Sequence, residues 1–234
     1  MISRKNLCSW NLIWIYNRNN VYAPNRDFVK KELYEDEALH LEVSKLKFRF
    51  MTDAQALLHG DLHTGSIFIR QDSTKIFDCE FGTYAPMGYD VGNAVANLIF
   101  AYDNGLSTDD GPFCDWCLKT IEETVDLFIE KFGRKYDEAV TEPMAKVKGF
   151  KEWYFDGILK DTAGYAGTEL HRRTVGMANV VDVTTIQDEK KRLLAERINI
   201  LAGKEYIMNQ GAFRTGADYV AAVLRAKEAA QKTL

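Results

Sequence analysis

The apolar positions of this chain follow the period of a strand in one short region and the period of a helix over most of the remaining length. Two runs, Ile67–Arg70 and Lys75–Asp78, are short and rich in isoleucine and phenylalanine, which predicts two strands. The polar residues 71–74 between them predict a hairpin connection. Because a hairpin folds back on itself, we expect the residues before its first strand and after its second strand to be neighbours in space.

Helical spacing is found on both sides of this hairpin. Residues 26–50 contain no glycine or proline and predict one helix with an apolar face made of Phe28, Leu33 (with Tyr34), Leu41 and Leu46. Further helices are predicted for residues 93–102 with Asp90 as N-cap, from Asp109 or Asp110 to Gly133, from Glu142 towards Leu170, and for residues 188–206 and 217–232. Residues 1–26 have no clean period, so we expect no folded element there. The pattern therefore predicts an α+β fold that is mostly helical.

Composition and charge narrow the classes of function. The chain has 234 residues, of which 46% are hydrophobic and 27% charged, as in a folded soluble protein with a sizeable core. Its net charge of -4 comes without a basic stripe, so we expect no nucleic acid partner. Near the amino terminus only residues 12–16 are continuously apolar, which predicts neither a targeting signal nor a membrane segment.

The four cysteines are Cys8, Cys79, Cys114 and Cys117, and in a chain of this length they do not predict a disulfide framework. Cys114 and Cys117 have the spacing of a metal-binding or redox pair, but no second pair and no nearby histidine completes a site. We interpret them as core residues of a helix. This use of cysteine fits a reducing, cytoplasmic compartment.

Carboxylates precede and follow the predicted hairpin. Asp61 lies in the polar turn His59–Ser66 before it, and Asp78 and Glu80 follow it. Phosphoryl transfer needs a carboxylate that accepts or orients the proton of the acceptor hydroxyl, and others that hold Mg²⁺ on the phosphates of ATP. Asp61 is our candidate for the first role. Asp78 and Glu80 are our candidates for the second, since alternate residues of an extended segment point to one side.

Each of these residues also has a structural interpretation when it is taken alone. A lone aspartate such as Asp61 is more often a turn or cap residue, and an Asp-x-Glu sequence is usually solvated. The structural interpretation of His59 and His63 is that they brace the turn by hydrogen bonds, and we favour it for His59. We interpret Asp90 as a helix N-cap that also ties the turn, rather than as a catalytic group. The combination around one hairpin is what favours phosphotransfer.

Three segments carry more specific motifs: His59–Ser66, Asp78–Phe81 with its continuation 84–92, and Thr168–Gly176. Together they resemble the methylthioribose kinases, within the aminoglycoside phosphotransferase branch of the kinase-like superfamily. That branch has an asparagine where this chain has Ser66. The resemblance extends over roughly residues 28–232, and it implies that residues 28–234 form the carboxy-terminal lobe of a kinase-like fold, with a hairpin beside the catalytic turn. Residues 1–27 remain unassigned.

The resemblance implies a reaction: ATP and 5-methylthioribose give ADP and 5-methylthioribose 1-phosphate, a step of methionine salvage. By position, Asp61 is then the catalytic base at the sugar 1-hydroxyl, and Asp78 and Glu80 bind Mg²⁺. Arg172 and Arg173 are implied to contact the sugar and the transferred phosphate, a role that suits their planar donor forks. Without the resemblance, two adjacent arginines are more often surface charges. A homodimer is also implied.

A complete kinase of this type has an amino-terminal sheet lobe with a glycine-rich loop and a strand lysine. The first glycine of this chain is Gly60, and Lys5, Lys30 and Lys31 stand in no strand pattern. We therefore expect the nucleotide lobe to be absent and apolar surface to be exposed where it would pack.

Two alternatives stay open. One is a phosphotransferase for another small hydroxylated metabolite, such as an aminoglycoside, choline or homoserine; the Arg172–Arg173 pair argues against a cationic acceptor. The other is a binding or dimerisation module that is inactive because the chain is truncated. The intact Asp61, Asp78 and Glu80 argue against a long-standing loss of activity.

Overall fold

The structure, a computed structural model, describes residues 19–234. Its helices are α1 (Arg26–Val29, continued by a π-helical turn at Lys30–Tyr34), α2 (Glu37–Thr52), α3 (Gly88–Ser107), α4 (Gly111–Ala139), α5 (Phe150–Val175), α6 (Val181–Thr184), α7 (Glu189–Met208) and α8 (Gly216–Gln231). Its strands are β1 (Ala56–Leu58), β2 (Ile67–Arg70), β3 (Ser73–Ile76) and β4 (Thr83–Ala85). The predicted fold class, α+β and mostly helical, is confirmed. None of the helices in this range has the length and apolar character needed to cross a bilayer. Cys8 and the apolar run at 12–16 lie outside the described residues.

The strands form two separate antiparallel pairs. β2 pairs with β3, with Ile67 opposite Ile76 and Arg70 opposite Ser73, so the predicted hairpin is present and its turn is shorter than expected. β1 pairs with β4, a contact that the sequence analysis did not predict. This second pair closes the ends of the segment 59–82, which contains all three candidate carboxylates.

The prediction of a single helix before the hairpin is wrong, because the helix is interrupted at Asp36. The Asp36 carboxylate accepts a hydrogen bond from the backbone N–H of Leu39 at 2.9 Å and begins α2 as its N-cap. The break changes which apolar residues share a face. Leu33 and Leu46 are buried as expected, whereas Leu41 is 57% exposed.

Part of the segment expected to lack a folded element packs against α7. A 3-10 turn at Ala23–Asn25 precedes α1. The side chain of Asn25 is fully buried; it donates to Oε2 of Glu196 at 2.8 Å and accepts from Nε of Arg197 at 2.9 Å. The expectation is therefore wrong for the described end of this segment.

The ends of two helices differ from the prediction. α3 begins at Gly88 with Met87 as its N-cap, so Asp90 lies inside the first turn and is not the N-cap. α4 begins as predicted, with the Asp110 carboxylate accepting from the backbone N–H of Phe113. It does not end at Gly133 but continues through that glycine to Ala139.

The helix predicted from Glu142 is split in the structure. A 3-10 turn occupies Pro143–Lys146, and α5 begins only after Gly149, whose φ of 88° is left-handed and favours glycine. The last two long helices match the prediction within two residues. α7 begins at its predicted cap, where the Asp188 carboxylate accepts from the backbone N–H of Lys191 at 3.0 Å.

Glycines bring α5 into backbone contact with the helices on both sides of it. A Cβ atom at Gly92 of α3 would lie 2.6 Å from the carbonyl oxygen of Thr162 and 2.7 Å from the nitrogen of Ala166, both in α5. A Cβ atom at Gly167 of α5 would lie 2.5 Å from the carbonyl oxygen of Gly203 in α7. Side chains at these positions would push the helices apart. The second half of α5 is thus fixed between α3 and α7.

Helices α3, α4, α5, α7 and α8 share one apolar core, which includes the buried Cys114 and Cys117. The interpretation of these cysteines as core residues is in agreement with their burial. Outside the core, large apolar side chains on the four strands and next to them are exposed: Leu57, Phe68, Ile69, Ile76, Phe77 and Tyr84. Exposed apolar surface was expected; the strands carry part of it, and large apolar side chains of the helices, such as Phe48 and Trp153, are exposed as well.

Candidate active site

The polar turn that contains Asp61 leaves β1 and is held against the chain that follows the hairpin. Gly60 has a φ of 87°, a left-handed conformation that favours glycine. A Cβ atom at this position would clash with the carbonyl oxygen of Phe81. Glycine therefore allows the turn to contact the segment that carries Glu80.

Asp90, in the first turn of α3, binds the backbone of the same turn. Its carboxylate accepts hydrogen bonds from the N–H of His59 at 2.7 Å and from the N–H of Gly60 at 3.1 Å. Burial raises the pKa of Asp90, and the two N–H donors act against that rise. The residue thus anchors the turn to a core helix.

The imidazole of His59 connects the two sides of the site. Its Nε2 donates to the carbonyl oxygen of Phe77 at 2.7 Å, and its Nδ1 accepts from the backbone N–H of Asp61 at 3.4 Å. Both ring nitrogens thus have a backbone partner, which fixes the orientation of the ring between Asp61 and Phe77. His63 bonds the hydroxyl of the buried Ser66 at 3.1 Å, which stabilises the far end of the turn.

Asp61 lies directly against the arginine pair of α5. Its Oδ1 atom accepts from Nη2 of Arg172 at 2.8 Å and from Nη2 of Arg173 at 3.1 Å. All three side chains are mostly buried, with 23%, 14% and 16% of their surface exposed. The structure thus brings Asp61 together with two predicted site residues that lie 111 and 112 positions further along the chain.

A fourth charged residue, Glu169, completes this cluster and was not among the predicted site residues. Its carboxylate accepts from Nε of Arg172 at 2.7 Å and from Nε of Arg173 at 2.8 Å. Burial alone would raise the pKa of Glu169, but the two guanidiniums outweigh burial and hold it below its ordinary value. Burial would likewise lower the pKa of Arg172, and Glu169 keeps it raised. The i, i+3 and i+4 spacing of these residues was the available signal.

Asp78 and Glu80 lie on the other side of the site, and their predicted geometry is wrong. Asp78 has a left-handed backbone with φ of 68°, and Glu80 lies in a 3-10 turn at Cys79–Phe81, so the segment is not extended. The expectation that alternate residues point to one side therefore does not apply. Both carboxylates are exposed, and within residues 19–234 neither forms an ion pair.

The arrangement combines an acceptor, two donor forks and two free carboxylates. Nη1 of Arg172, Nη1 of Arg173 and Oδ2 of Asp61 make no hydrogen bond to the described part of the chain and are accessible to solvent. A hydroxylated or phosphorylated ligand could bond these atoms. Across residues 19–234 no group of three or more His, Cys, Asp or Glu side chains is arranged to hold a metal ion.

Comparison with known proteins places this site in context. A model of the phosphotransferase enzyme family matches residues 10–113. The matched range contains the Asp61 turn, the hairpin and α3, and it begins inside the segment 1–27 that the sequence analysis left unassigned.

The chain is also similar to several curated methylthioribose kinases. It is 39% identical to the one from Geobacillus sp. (strain WCH70) over 83% of this chain and 48% of that protein. For the one from Bacillus cereus (strain B4264) the values are 38%, 80% and 47%, and for the one from Geobacillus kaustophilus (strain HTA426) they are 37%, 80% and 46%. The chain therefore spans about half the length of the curated relatives it matches. Over the matched region the chain is therefore similar to the methylthioribose kinases.

Proposed function

We propose that this chain provides the acceptor and metal side of an ATP-dependent kinase that phosphorylates 5-methylthioribose at its 1-hydroxyl. In this proposal residues 28–234 act as a carboxy-terminal lobe, and the reaction belongs to methionine salvage. The observation that carries it is the contact between Asp61 and the Arg172–Arg173 pair, because it joins an acceptor for a hydroxyl proton to donors for a phosphate.

Asp61 has the role of orienting the sugar hydroxyl and accepting its proton as the phosphoryl group is transferred. Its Oδ1 is held by the arginines, and its Oδ2 is the atom left for the hydroxyl. The Nη1 atoms of Arg172 and Arg173 would donate to sugar hydroxyls or to the transferred phosphate. Fixed donors of this kind stabilise developing negative charge more than mobile water does.

Asp78 and Glu80 suit Mg²⁺ by their chemistry. They offer hard carboxylate oxygens, are exposed, and form no ion pair within the described residues. Mg²⁺ usually takes one or two protein carboxylates and keeps several waters, so a pair of solvated side chains is sufficient. When bound, the ion would neutralise charge on the nucleotide phosphates. His59 supports this side of the site through its bond to Phe77, the residue before Asp78.

The nucleotide side of the reaction needs more protein than this chain shows. The strands leave apolar side chains exposed, and the curated relatives are about twice as long as the matched region. We propose that ATP binds between this lobe and a second one. We also propose a homodimer, which the resemblance implies and which analytical ultracentrifugation tests. We further propose a cytoplasmic location, which the use of cysteine favours.

The test is an assay of ADP release with ATP, Mg²⁺ and methylthioribose, by protein in which a second lobe completes this one. We expect turnover that depends on all three, and Asp61→Asn should reduce kcat by about 10²–10⁴. The matched control is Asp156→Asn, which removes a carboxylate paired with an arginine, Arg214, at an exposed position. A rate that survives Asp61→Asn would show that the base is another group.

Two other results would favour the alternatives. A clear preference for an aminoglycoside, choline or homoserine over methylthioribose would show a different acceptor. Failure of a folded sample to bind Mg-ATP at millimolar concentration would favour an inactive module.

A further inference from the structure

Glu169 contacts the arginine pair from the side opposite to Asp61. It lies one helical turn before the arginines on α5, and only 3% of its side chain is exposed. Each arginine donates from Nε to Glu169 and from Nη2 to Asp61, and Nη2 of Arg172 also donates to Oε1 of Glu169 at 3.1 Å. The two carboxylates form no direct hydrogen bond with each other within the described residues. Any influence of Glu169 on Asp61 therefore passes through the guanidiniums.

A guanidinium is planar, so a bond at Nε also fixes the direction of both Nη groups. A free arginine side chain samples many rotamers, and this freedom must be lost when it is held in one geometry. Glu169 removes this freedom before a ligand arrives, because it holds both Nε atoms at 2.7 Å and 2.8 Å. Its own backbone is held too, since Gly167 lies in backbone contact with α7 two residues earlier.

We infer that Glu169 is a positioning residue, which holds both guanidiniums on Asp61 and thereby sets the geometry in which the acceptor sugar binds. The inference rests on the proposed function for the identity of the sugar. Glu169 itself is too deeply buried behind the arginines to meet a ligand. Its role is orientation and not only charge balance, because one carboxylate receives both Nε donors.

The chain offers a matched control in Glu196 of α7. Glu196 is also buried, and its Oε1 accepts from Nε of Arg192 at 3.1 Å in an i, i+4 pair. Arg192 makes no hydrogen bond to Asp61. Glu196→Gln thus removes the same kind of buried carboxylate without touching the site.

The first experiment is a double-mutant cycle on the free energy of unfolding, measured with urea on the full chain. The four proteins are the parent, Glu169→Gln, Asp61→Asn and the double variant. Residues that share partners are not additive, so the effect of Asp61→Asn should be smaller when Glu169 is already replaced. The parallel cycle with Glu196→Gln should be additive. Additivity in both cycles would overturn the inference, whatever the chain binds.

The second experiment measures methylthioribose binding by titration calorimetry. Glu169→Gln should weaken binding about tenfold or more, as expected when a charge-assisted contact is disordered, and Glu196→Gln should not. Glu169→Asp keeps the charge but is too short to reach both Nε atoms, so it should weaken binding as well. Glu169→Asp is also the variant to test if Glu169→Gln fails to fold. If Glu169→Asp bound methylthioribose as tightly as the parent, the role of Glu169 would be charge balance alone, and the inference would be overturned. Coupling to Asp61 without any sugar binding by the parent would leave the positioning role standing and reject the substrate.

Discussion

Asp90 and His59 are joined by a hydrogen bond of 2.7 Å from the His59 backbone N–H to the Asp90 carboxylate. Through this bond the first turn of a core helix holds the turn that carries Asp61. The same carboxylate also accepts from Gly60, so a single side chain satisfies two consecutive N–H groups. The position of Asp61 therefore depends on a residue that takes no part in the proposed chemistry.

Asp90→Ala should destabilise the protein and reduce activity together. Two partly buried N–H groups lose their acceptor, and each unsatisfied group costs about 1–3 kcal/mol unless water replaces the carboxylate. We expect a loss of about 2 kcal/mol in the free energy of unfolding, measured with urea. Asp110→Ala, which removes the N-cap of α4 far from the site, is the control and should reduce stability without a matching loss of kcat. Unchanged activity in Asp90→Ala would show that the turn is held by other contacts.

His59→Phe should weaken the binding of Mg²⁺ more than the binding of the sugar. The ring links the backbone of Asp61 to the carbonyl oxygen of Phe77, which precedes Asp78. Without these two bonds the segment after β3 is less constrained, so the Mg²⁺ concentration for half-maximal rate should rise severalfold. The measurement is a Mg²⁺ titration of the ADP-release rate. His40→Phe removes a similar ring-to-carbonyl bond in α2 and should leave the titration unchanged.

Gly92→Ala should be among the most damaging single substitutions in the core. The added Cβ would meet the α5 backbone at 2.6–2.7 Å, which forces α3 and α5 apart. Overpacking of this kind costs about 1–3 kcal/mol, and here the obstacle is backbone, so the upper end is expected. Gly111→Ala is the control, since nothing lies within 4 Å of its Cβ position. Equal urea midpoints for the two variants would contradict this account of the helix packing.

His171 should make stability depend on pH. It is 1% exposed, its Nε2 bonds the carbonyl oxygen of Ile200, and burial lowers its pKa from 6.5 to about 4. Below pH 6.5 the unfolded chain binds a proton that the folded chain refuses, so this contribution to stability is complete above pH 6.5 and declines as the pH falls towards 4.

Between about pH 7.5 and about pH 5 the loss amounts to about 2 kcal/mol. His171→Asn should remove this part of the pH dependence, as measured by urea unfolding at both pH values. Because the other histidines remain in the variant, the difference between the two proteins reports on His171 alone. Parallel curves for parent and variant would place the pH dependence elsewhere.

Caps and apolar runs were sufficient to predict the helices and strands that neighbouring residues in the sequence determine. The Asp188 cap and the apolar period predicted α7, and the apolar runs predicted the hairpin of β2 and β3. The β1–β4 pair was missed because two strands of three residues meet across a long segment, and short strands carry almost no period. The break at Asp36 was missed because its cap lies within a continuous helical spacing.

The candidate site shows the same division. The turn around Asp61 and the arginines of α5 could be identified from motifs, but only the fold reveals that they touch. Glu169 was overlooked because the arginines were assigned to a ligand, which left no reason to ask what holds them. The Asp78–Glu80 geometry was mistaken because strand β3 was extended past Ile76, whereas the chain turns at Asp78.

The contact between Asp61 and the arginine pair also bears on where divalent cations bind. Asp61 is paired with two guanidiniums, while Asp78 and Glu80 form no ion pair within residues 19–234. In the proposed kinase, Coulomb attraction would therefore direct Mg²⁺ to the exposed pair and away from Asp61, whose blockage would stop the acceptor from being activated. In the proposed site, pairing with the arginines would thus make Asp61 less attractive to a cation than Asp78 and Glu80. Without the arginines the three carboxylates would not differ in this way.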